Sequence, residues 1–388
     1  MKNWSLRVKL LGGFLLTAAI TLIVGTLAYV QLTSLAHKSA DISNTDLPGV
    51  GLSHDIKAEI ALTGQALRTL MSSEVPKADR QRQLVNIAKA RENIVKNIET
   101  YSKLEVDPNA KALFEDFKTK VVATGAANDK ALELAKQLEA SDLLKPDQLQ
   151  GDLQLFRGDH YALQVKVQDM LLGSKPFEGG EDPTACNFGK WMATFKTDNK
   201  VINDALQAII PHHNEFHKSV AEIKKAVADK GGNAKAKAIL DNTMKPAALN
   251  VFEGFGKMSA EAKVSQGLFS GMSEVLFGES RTKMNEALAA ADKLGDYHWT
   301  TADSDSKDLG LSAALSKSVA LGGMIIGVVI AVILGIFLTR SITGPVLQGV
   351  SFAKSMAEGD FTRTLDIDQK DEIGVLARAL NDMVTHLR

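Results

Sequence analysis

Two charge-free apolar stretches decide the architecture of this chain: LLGGFLLTAAITLIVGTLAYVQL at residues 10–32 and VALGGMIIGVVIAVILGIFLT at residues 319–339. A bilayer core about 30 Å thick needs about 20 apolar residues in a helix, so each stretch is long enough to span it. A cleaved signal peptide is the alternative for the first stretch, but its apolar run exceeds the roughly 7–15 residues typical of such peptides. We therefore predict two transmembrane helices.

Basic residues beside these stretches predict how the chain crosses the membrane. Lys2, Arg7 and Lys9 precede the first stretch, and Arg340 directly follows the second. Positively charged flanks stay in the cytoplasm, so both termini are predicted to be cytoplasmic.

The predicted domain order follows from this orientation. Residues 1–9 form a cytoplasmic N-terminus, residues 33–318 an extracytoplasmic domain, and residues 340–388 a cytoplasmic module. A large outer domain, two spans and a short inner module are the plan of a transmembrane sensor.

The composition excludes several function classes. The 388 residues include 45 Lys and Arg against 46 Asp and Glu, for a formal net charge of −1. Without a basic excess, nucleic acid is not expected as a partner. The single cysteine, Cys186, excludes an intrachain disulfide framework. We find no phosphate-binding GxxxxGK[ST] loop, GxSxG elbow or CxxCH haem motif, and predict that the protein is not an enzyme.

The outer domain is predicted to be all-α. Apolar residues such as Leu84, Ile87, Ile94 and Ile98 recur at a helical spacing of three or four. Prolines separate long segments of good helix formers, and several of them are expected to mark helix starts. The predicted helices cover residues 33–74, 77–104, 109–140, 147–173, 187–195, 199–229, 233–276 and 278–316.

Helices of this length pack most simply as antiparallel four-helix bundles, each burying one stripe per helix. The outer region is about twice as long as one such bundle needs, so two stacked four-helix bundles are predicted. Residues 33–145 and 278–316 are expected to form the membrane-proximal bundle, with residues 146–277 inserted as the other.

Candidate metal ligands cluster in the middle of the chain. His213 and His217 are four residues apart, so a helix would let them chelate one ion from adjacent turns. His160 and Cys186 would complete four ligands that zinc accepts. His212 would point about 100° away from His213 around the helix, so we do not include it among the candidate ligands. The residues alone leave a solvated histidine pair and a buried, purely hydrophobic cysteine as alternatives.

The segments DHYALQVKVQDMLLG, CNFGKW and HHNEFH resemble the chemoreceptor zinc-binding domain over residues 159–218. That family has a histidine on one helix, a Cys-x-x-Gly-x-Trp element and a His-x-x-x-His element. Cys186, Gly189 and Trp191 match the second element, while Leu163 stands where the family often has an aromatic residue. The family domain is commonly cytoplasmic, whereas here it lies between the two spans. The resemblance implies one zinc ion held by His160, Cys186, His213 and His217.

The inner module has two short runs of heptad spacing joined by about 14 irregular residues, which is typical of a parallel coiled-coil dimer. The apolar positions are Ile342, Pro345, Gly349, Phe352 and Met356 in the first run, and Ile373, Leu376, Leu380, Met383 and Leu387 in the second.

This module resembles a HAMP linker. Pro345 lies early in the first helix, Gly359-Asp360-Phe361 opens the connector, and Asp371-Glu372-Ile373-Gly374 opens the second helix. HAMP linkers convert signals in dimeric bacterial receptors, so the resemblance implies a homodimer. It also implies a signal-transmission role for a small set of residues, namely Pro345, Gly359, Asp360 and Glu372.

With both resemblances, the chain is identified as the sensor, transmembrane and HAMP part of a bacterial methyl-accepting chemotaxis receptor. This implies an inner-membrane protein that senses zinc, an oxidant or a small molecule outside the cytoplasm and signals to a chemotaxis kinase and adaptor. The alternatives are the input half of a sensor histidine kinase or nucleotide cyclase, and a metal- or haem-binding redox bundle. A HAMP helix normally feeds an output domain after a position such as Arg388, so we expect a truncated chain, with a separate output partner as the alternative.

Overall fold

A computed structural model of the chain describes residues 4–173 and 176–388. The chain is 85% helical without strands in the described ranges, which confirms the all-α prediction. Residues 1–3 of the predicted cytoplasmic N-terminus lie outside the described residues.

Twelve α-helices form the described parts of the chain, and most agree with the predicted ranges to within a few residues. Short π-helical segments at Ile42–Asp46, Leu240–Met244 and Thr339–Thr343 join three pairs of consecutive helices. The helices are α1 (Leu6–Asp41), α2 (Leu47–Leu70), α3 (Lys77–Tyr101), α4 (Pro108–Ser141), α5 (Pro146–Leu171), α6 (Asn187–Thr194), α7 (Lys200–Ala228), α8 (Asn233–Ile239), α9 (Lys245–Phe277), α10 (Glu279–Leu338), α11 (Gly344–Ala357) and α12 (Glu372–Leu387).

Local capping signals set where these helices begin. Asp107 caps α4 by accepting from the backbone N–H of Asn109 at 2.8 Å, and Pro108 follows as the first helical residue. Pro146 is likewise the first residue of α5, although the residue before it, Lys145, makes no side-chain capping bond. The prediction that prolines mark helix starts is therefore confirmed for these two helices.

Residues 49–297 form one compact unit that contains two helical bundles. In the first bundle, α2, α3, α4 and the N-terminal part of α10 bury a core that includes Ile56, Phe117 and Leu294. In the second bundle, α5 to α9 bury a core that includes Phe188 and Phe216. The outer region therefore contains two helical bundles, the number that the sequence predicted.

Helix α9 contributes to both bundles. Its Met272 and Leu276 pack with Leu67 of α2 and Ile87 of α3, in the first bundle. The boundary between the bundles therefore lies inside α9. The sequence analysis had placed it at the C-terminal end of this helix, by assigning residues 146–277 to the inserted bundle, and this prediction was wrong.

The second compact unit comprises residues 1–48 and 298–388. It contains α1 and the C-terminal part of α10, which carry the two stretches that are long and apolar enough to cross a membrane, by length and composition. The most apolar windows of these two stretches have no buried residues. They approach closely at Gly323, where an added Cβ would lie 2.8 Å from Cγ2 of Val24. Small residues permit such close helix contacts within membranes.

Candidate metal centre

Three elements of the second bundle bring the four predicted ligands together. Helix α5 presents His160, and α7 presents His213 and His217 on adjacent turns. Cys186 is the N-cap residue of the short helix α6, and its Sγ accepts from the backbone N–H of Gly189 at 3.2 Å. Helix α7 continues through Pro211, so both of its histidines stay on one regular helical face.

The donor atoms of these residues converge on one point. One ligand atom from each of the four lies within 4.8 Å of all the others. Nε2 of His213 is 3.2 Å from Sγ of Cys186 and 3.1 Å from Nε2 of His217. Three imidazole nitrogens and one sulfur at this spacing suit a tetrahedral metal ion with Zn–N and Zn–S bonds of about 2.0–2.3 Å.

Backbone carbonyls accept hydrogen bonds from two of the rings and thereby orient them. Nδ1–H of His160 donates to the Phe156 carbonyl at 2.7 Å, and Nδ1–H of His217 donates to the Gly180 carbonyl at 2.7 Å. In each ring this leaves the lone pair on Nε2, directed at the cluster.

Nε2 of His160 is the clearest sign that the pocket fits a metal ion. It is buried, and no hydrogen-bond partner for it exists among the described residues. A buried acceptor without a partner is costly unless something else binds it. The donor set and this unpartnered nitrogen together fit zinc.

The electrostatics keep the imidazoles neutral, which is the form that binds metals. Burial, together with the neighbouring His217 and His160, lowers the pKa of His213 to about 3. Burial also lowers the pKa values of His160 and His217. Burial raises the pKa of the Cys186 thiol, so the free site holds it protonated near neutral pH. A metal ion would reverse this last shift by binding the thiolate.

Aromatic side chains pack around the histidine rings of the cluster. The ring of His160 lies 5.0 Å from that of Phe216, and the ring of His213 lies 5.0 Å from that of Phe188. Both phenylalanines are fully buried. An apolar shell of this kind controls solvent access to a metal site.

The Cys-x-x-Gly-x-Trp element has a steric and a packing role here. A Cβ on Gly189 would lie 1.9 Å from the Pro183 carbonyl oxygen, so only glycine fits at this position. Trp191 stacks on Phe195 at 4.1 Å between ring centroids. His212 stays outside the cluster, with Nδ1 3.5 Å from the side-chain nitrogen of Asn250.

Sequence reasoning missed the loop residues that support the site. Gly180 supplies the carbonyl for His217, and its φ of 96° is a left-handed conformation that favours glycine. Asn187 donates to Asp159 at 2.7 Å, which ties α6 to α5 beside His160. The adjacent pair Gly179-Gly180 was the only signal in the sequence for this support.

The four residues predicted to transmit signals lie at helix ends in the inner module. Pro345 is in the first turn of α11, and Gly359, with a φ of 89°, follows the end of that helix. Asp360 accepts from the backbone N–H of Thr362 at 3.0 Å. Glu372, the first residue of α12, accepts from the backbone N–H of Leu6 at 2.7 Å, a contact that the sequence analysis did not foresee.

Comparison with known families agrees with this geometry. Three family models match the chain: a four helix bundle sensory module for signal transduction at residues 3–148, the chemoreceptor zinc-binding domain at residues 160–224, and the HAMP domain at residues 337–388. These are signalling modules and not catalytic domains. This combination of modules is consistent with a methyl-accepting chemotaxis receptor that has a chemoreceptor zinc-binding-like domain.

Curated relatives point to the same class. The chain is 39% identical over 74 residues to methyl-accepting chemotaxis protein McpA of Bacillus subtilis, covering 19% of this chain and 11% of the relative. It is 46% identical over 52 residues to methyl-accepting chemotaxis protein TlpA of the same organism, covering 13% of this chain and 8% of the relative. The chain thus matches only about a tenth of the length of these relatives. No solved structure matches it significantly.

Proposed function

We propose that this chain is the input half of a bacterial chemoreceptor, with a zinc-binding sensor domain outside the cytoplasm. The convergence of His160, Cys186, His213 and His217 carries the proposal, because it occurs in a chain that also contains a HAMP domain. Four donors form the closed set typical of a structural or regulatory zinc site, whereas catalytic zinc keeps one position open. Zinc bound there would join α5, the start of α6 and α7 through one ion.

Contacts at the start of α1 support cytoplasmic termini. The Leu6 N–H donates to Glu372, and the buried ammonium of Lys9 pairs with the buried carboxylate of Asp371. The N-terminus of α1 therefore lies beside the N-terminus of α12, on one side of a membrane that α1 and α10 would cross. The basic residues Arg7 and Arg340 favour the cytoplasm for that side.

An unpartnered apolar edge of α12 supports a homodimer. Leu376, Met383 and Leu387 are 46%, 45% and 59% exposed within one chain, although they share the predicted heptad seam. The opposite edge, with Ala377 and Val384, packs into the core of the module. A second copy in a parallel coiled coil would cover the exposed edge.

Oxidation of Cys186 is the stimulus that the site suits best. Zinc bound at the site would keep Cys186 as a thiolate, and this thiolate would react with an oxidant such as hypochlorous acid to give a sulfenic acid and chloride, with sulfur oxidised and chlorine reduced. The site then loses its only thiolate, and α5 and α7 are free to move apart. Because packed helices shift as units, the movement can reach α10 and the HAMP domain.

Metal analysis of the purified chain tests the zinc part of this proposal. We expect one zinc per chain in the wild-type protein and in His212→Ala, whose histidine lies outside the cluster. His213→Ala is expected to lose zinc, because it removes a donor that contacts both Cys186 and His217. Equal zinc contents in the two variants would contradict the site.

A chimeric receptor tests the signalling part. Residues 1–388 are fused to the output domain of a characterised chemoreceptor, and kinase control is measured after addition of hypochlorite or a zinc chelator. We expect a response in wild type and none in a folded Cys186→Ala variant. An unchanged response in that variant would leave zinc with a purely structural role.

A further inference from the structure

A loop beside the metal centre is held by a residue that none of the sequence motifs includes. Residues 176–182, called the strap below, run past α5 and α7 and lead to Cys186. Gly180 lies in the strap, and its carbonyl orients His217 through the 2.7 Å bond to Nδ1. An added Cβ at Gly180 would lie 2.8 Å from Cδ1 of Leu163 on α5, so the strap lies tightly against the bundle.

Lys224 binds this strap on both sides of Gly180. It lies seven residues after His217 on α7, on the same helical face. Its Nζ donates to the Gly179 carbonyl at 2.7 Å and pairs with the Glu181 carboxylate. The same ammonium lies 4.2 Å from the centre of the Phe177 ring.

All the contacts of the ammonium described above are with residues of the strap. An ammonium has three N–H donors, and here it has a carbonyl, a carboxylate and an aromatic face as neighbours. The Lys224 side chain is only 19% exposed, so water competes weakly for these bonds. Glu181 in turn has its pKa lowered by the hydrogen bond from Lys224, which keeps the carboxylate charged.

We propose that Lys224 is a positioning residue of the metal centre: it pins the strap so that the Gly180 carbonyl holds His217 with Nε2 toward the other three donors. The proposal rests on the proposed function, because it concerns the same zinc site. Removing outer partners of metal ligands costs about 10–100-fold in metal affinity in other proteins. Lys224 acts through a carbonyl and not on the ring itself, so we expect a loss at the lower end, about tenfold.

Zinc binding by the full chain in detergent tests this role. Lys224→Met keeps the aliphatic stem but removes the ammonium, and Lys225→Met is the matched control, because its side chain is exposed on the same helix. We expect about tenfold weaker zinc binding, and faster release to a chelator, in Lys224→Met only. Lys224→Arg, which keeps the charge and the donors, should restore most of the affinity.

Two further measurements separate positioning from general stabilisation. Cobalt in place of zinc has visible absorption bands that depend on ligand geometry, and we expect them to shift in Lys224→Met but not in Lys225→Met. Gly180→Ala should weaken zinc binding as well, because it displaces the strap without touching the ammonium. A lower melting temperature of metal-free Lys224→Met, with unchanged zinc affinity, would overturn the proposal.

The outcomes distinguish the two proposals. A wild-type chain that takes up no zinc refutes the proposed function. A wild-type chain that binds zinc, with Lys224→Met indistinguishable from it, refutes only the role of Lys224.

Discussion

Acid should destabilise the metal-free second bundle, and His213 is the residue that allows the size of the effect to be worked out. The unfolded chain takes up a proton on this imidazole near its ordinary pKa of 6.5, whereas the folded chain keeps it neutral down to about pH 3. Between these values the unfolded state binds more protons, so the free energy of unfolding falls as the pH falls. Because pH 5 lies 1.5 units below the unfolded-state pKa, His213 alone lowers the free energy of unfolding by about 2 kcal/mol between neutral pH and pH 5. His160 and His217, whose pKa values are also lowered by burial, act in the same direction.

Fluorescence of Trp191 gives a local assay for this effect. Trp191 packs in the second bundle, while Trp4 and Trp299 are 49% and 60% exposed and can be replaced by Phe at little cost. Urea unfolding of the chelator-treated chain would be followed at pH 7.5, 6 and 5. The control is His213→Leu in the same chain with Trp4 and Trp299 replaced by Phe. Below pH 6 its free energy of unfolding should fall by about 1.4 kcal/mol less per pH unit than that of the protein with His213. Equal pH dependence in the two proteins would refute the reasoning.

Three further predictions concern single positions. His217→Ala should release zinc and lower the melting temperature of the zinc-treated chain toward that of the metal-free chain; retained zinc, measured by metal analysis, would remove this residue from the site. Gly189→Ala should destabilise the second bundle by about 1–3 kcal/mol in urea titration, because the new Cβ meets the Pro183 carbonyl; unchanged stability would contradict the packing described for α6. Single cysteines between Leu376 and Met383, in a Cys186→Ser background, should cross-link at heptad spacing on oxidation, whereas cross-linking without periodicity would argue against a coiled-coil dimer.

Local patterns in the sequence determined the helices and the candidate spans. A helix repeats every 3.6 residues, so the spacing of apolar residues, the caps and the prolines report on each segment without reference to the rest of the chain. The i, i+4 pair His213 and His217 was readable for the same reason, since one helix brings the two rings together. The resemblance of the Cys186 segment to a known family added the remaining ligands.

Long-range packing decided what no local pattern could report. Two features of the site exist only because α5, the strap and α7 meet. They are the buried, unpartnered Nε2 of His160 and the hydrogen bond from His217 to the Gly180 carbonyl. Helix α9 looked like part of the inserted bundle alone, yet Met272 and Leu276 bury their side chains in the first bundle. From the sequence, Lys224 is one of two adjacent lysines and would be expected to be solvated. The structure shows instead that it contacts the strap. Such contacts depend on the directions in which distant segments approach one another, and side-chain spacing along one helix carries no information about those directions.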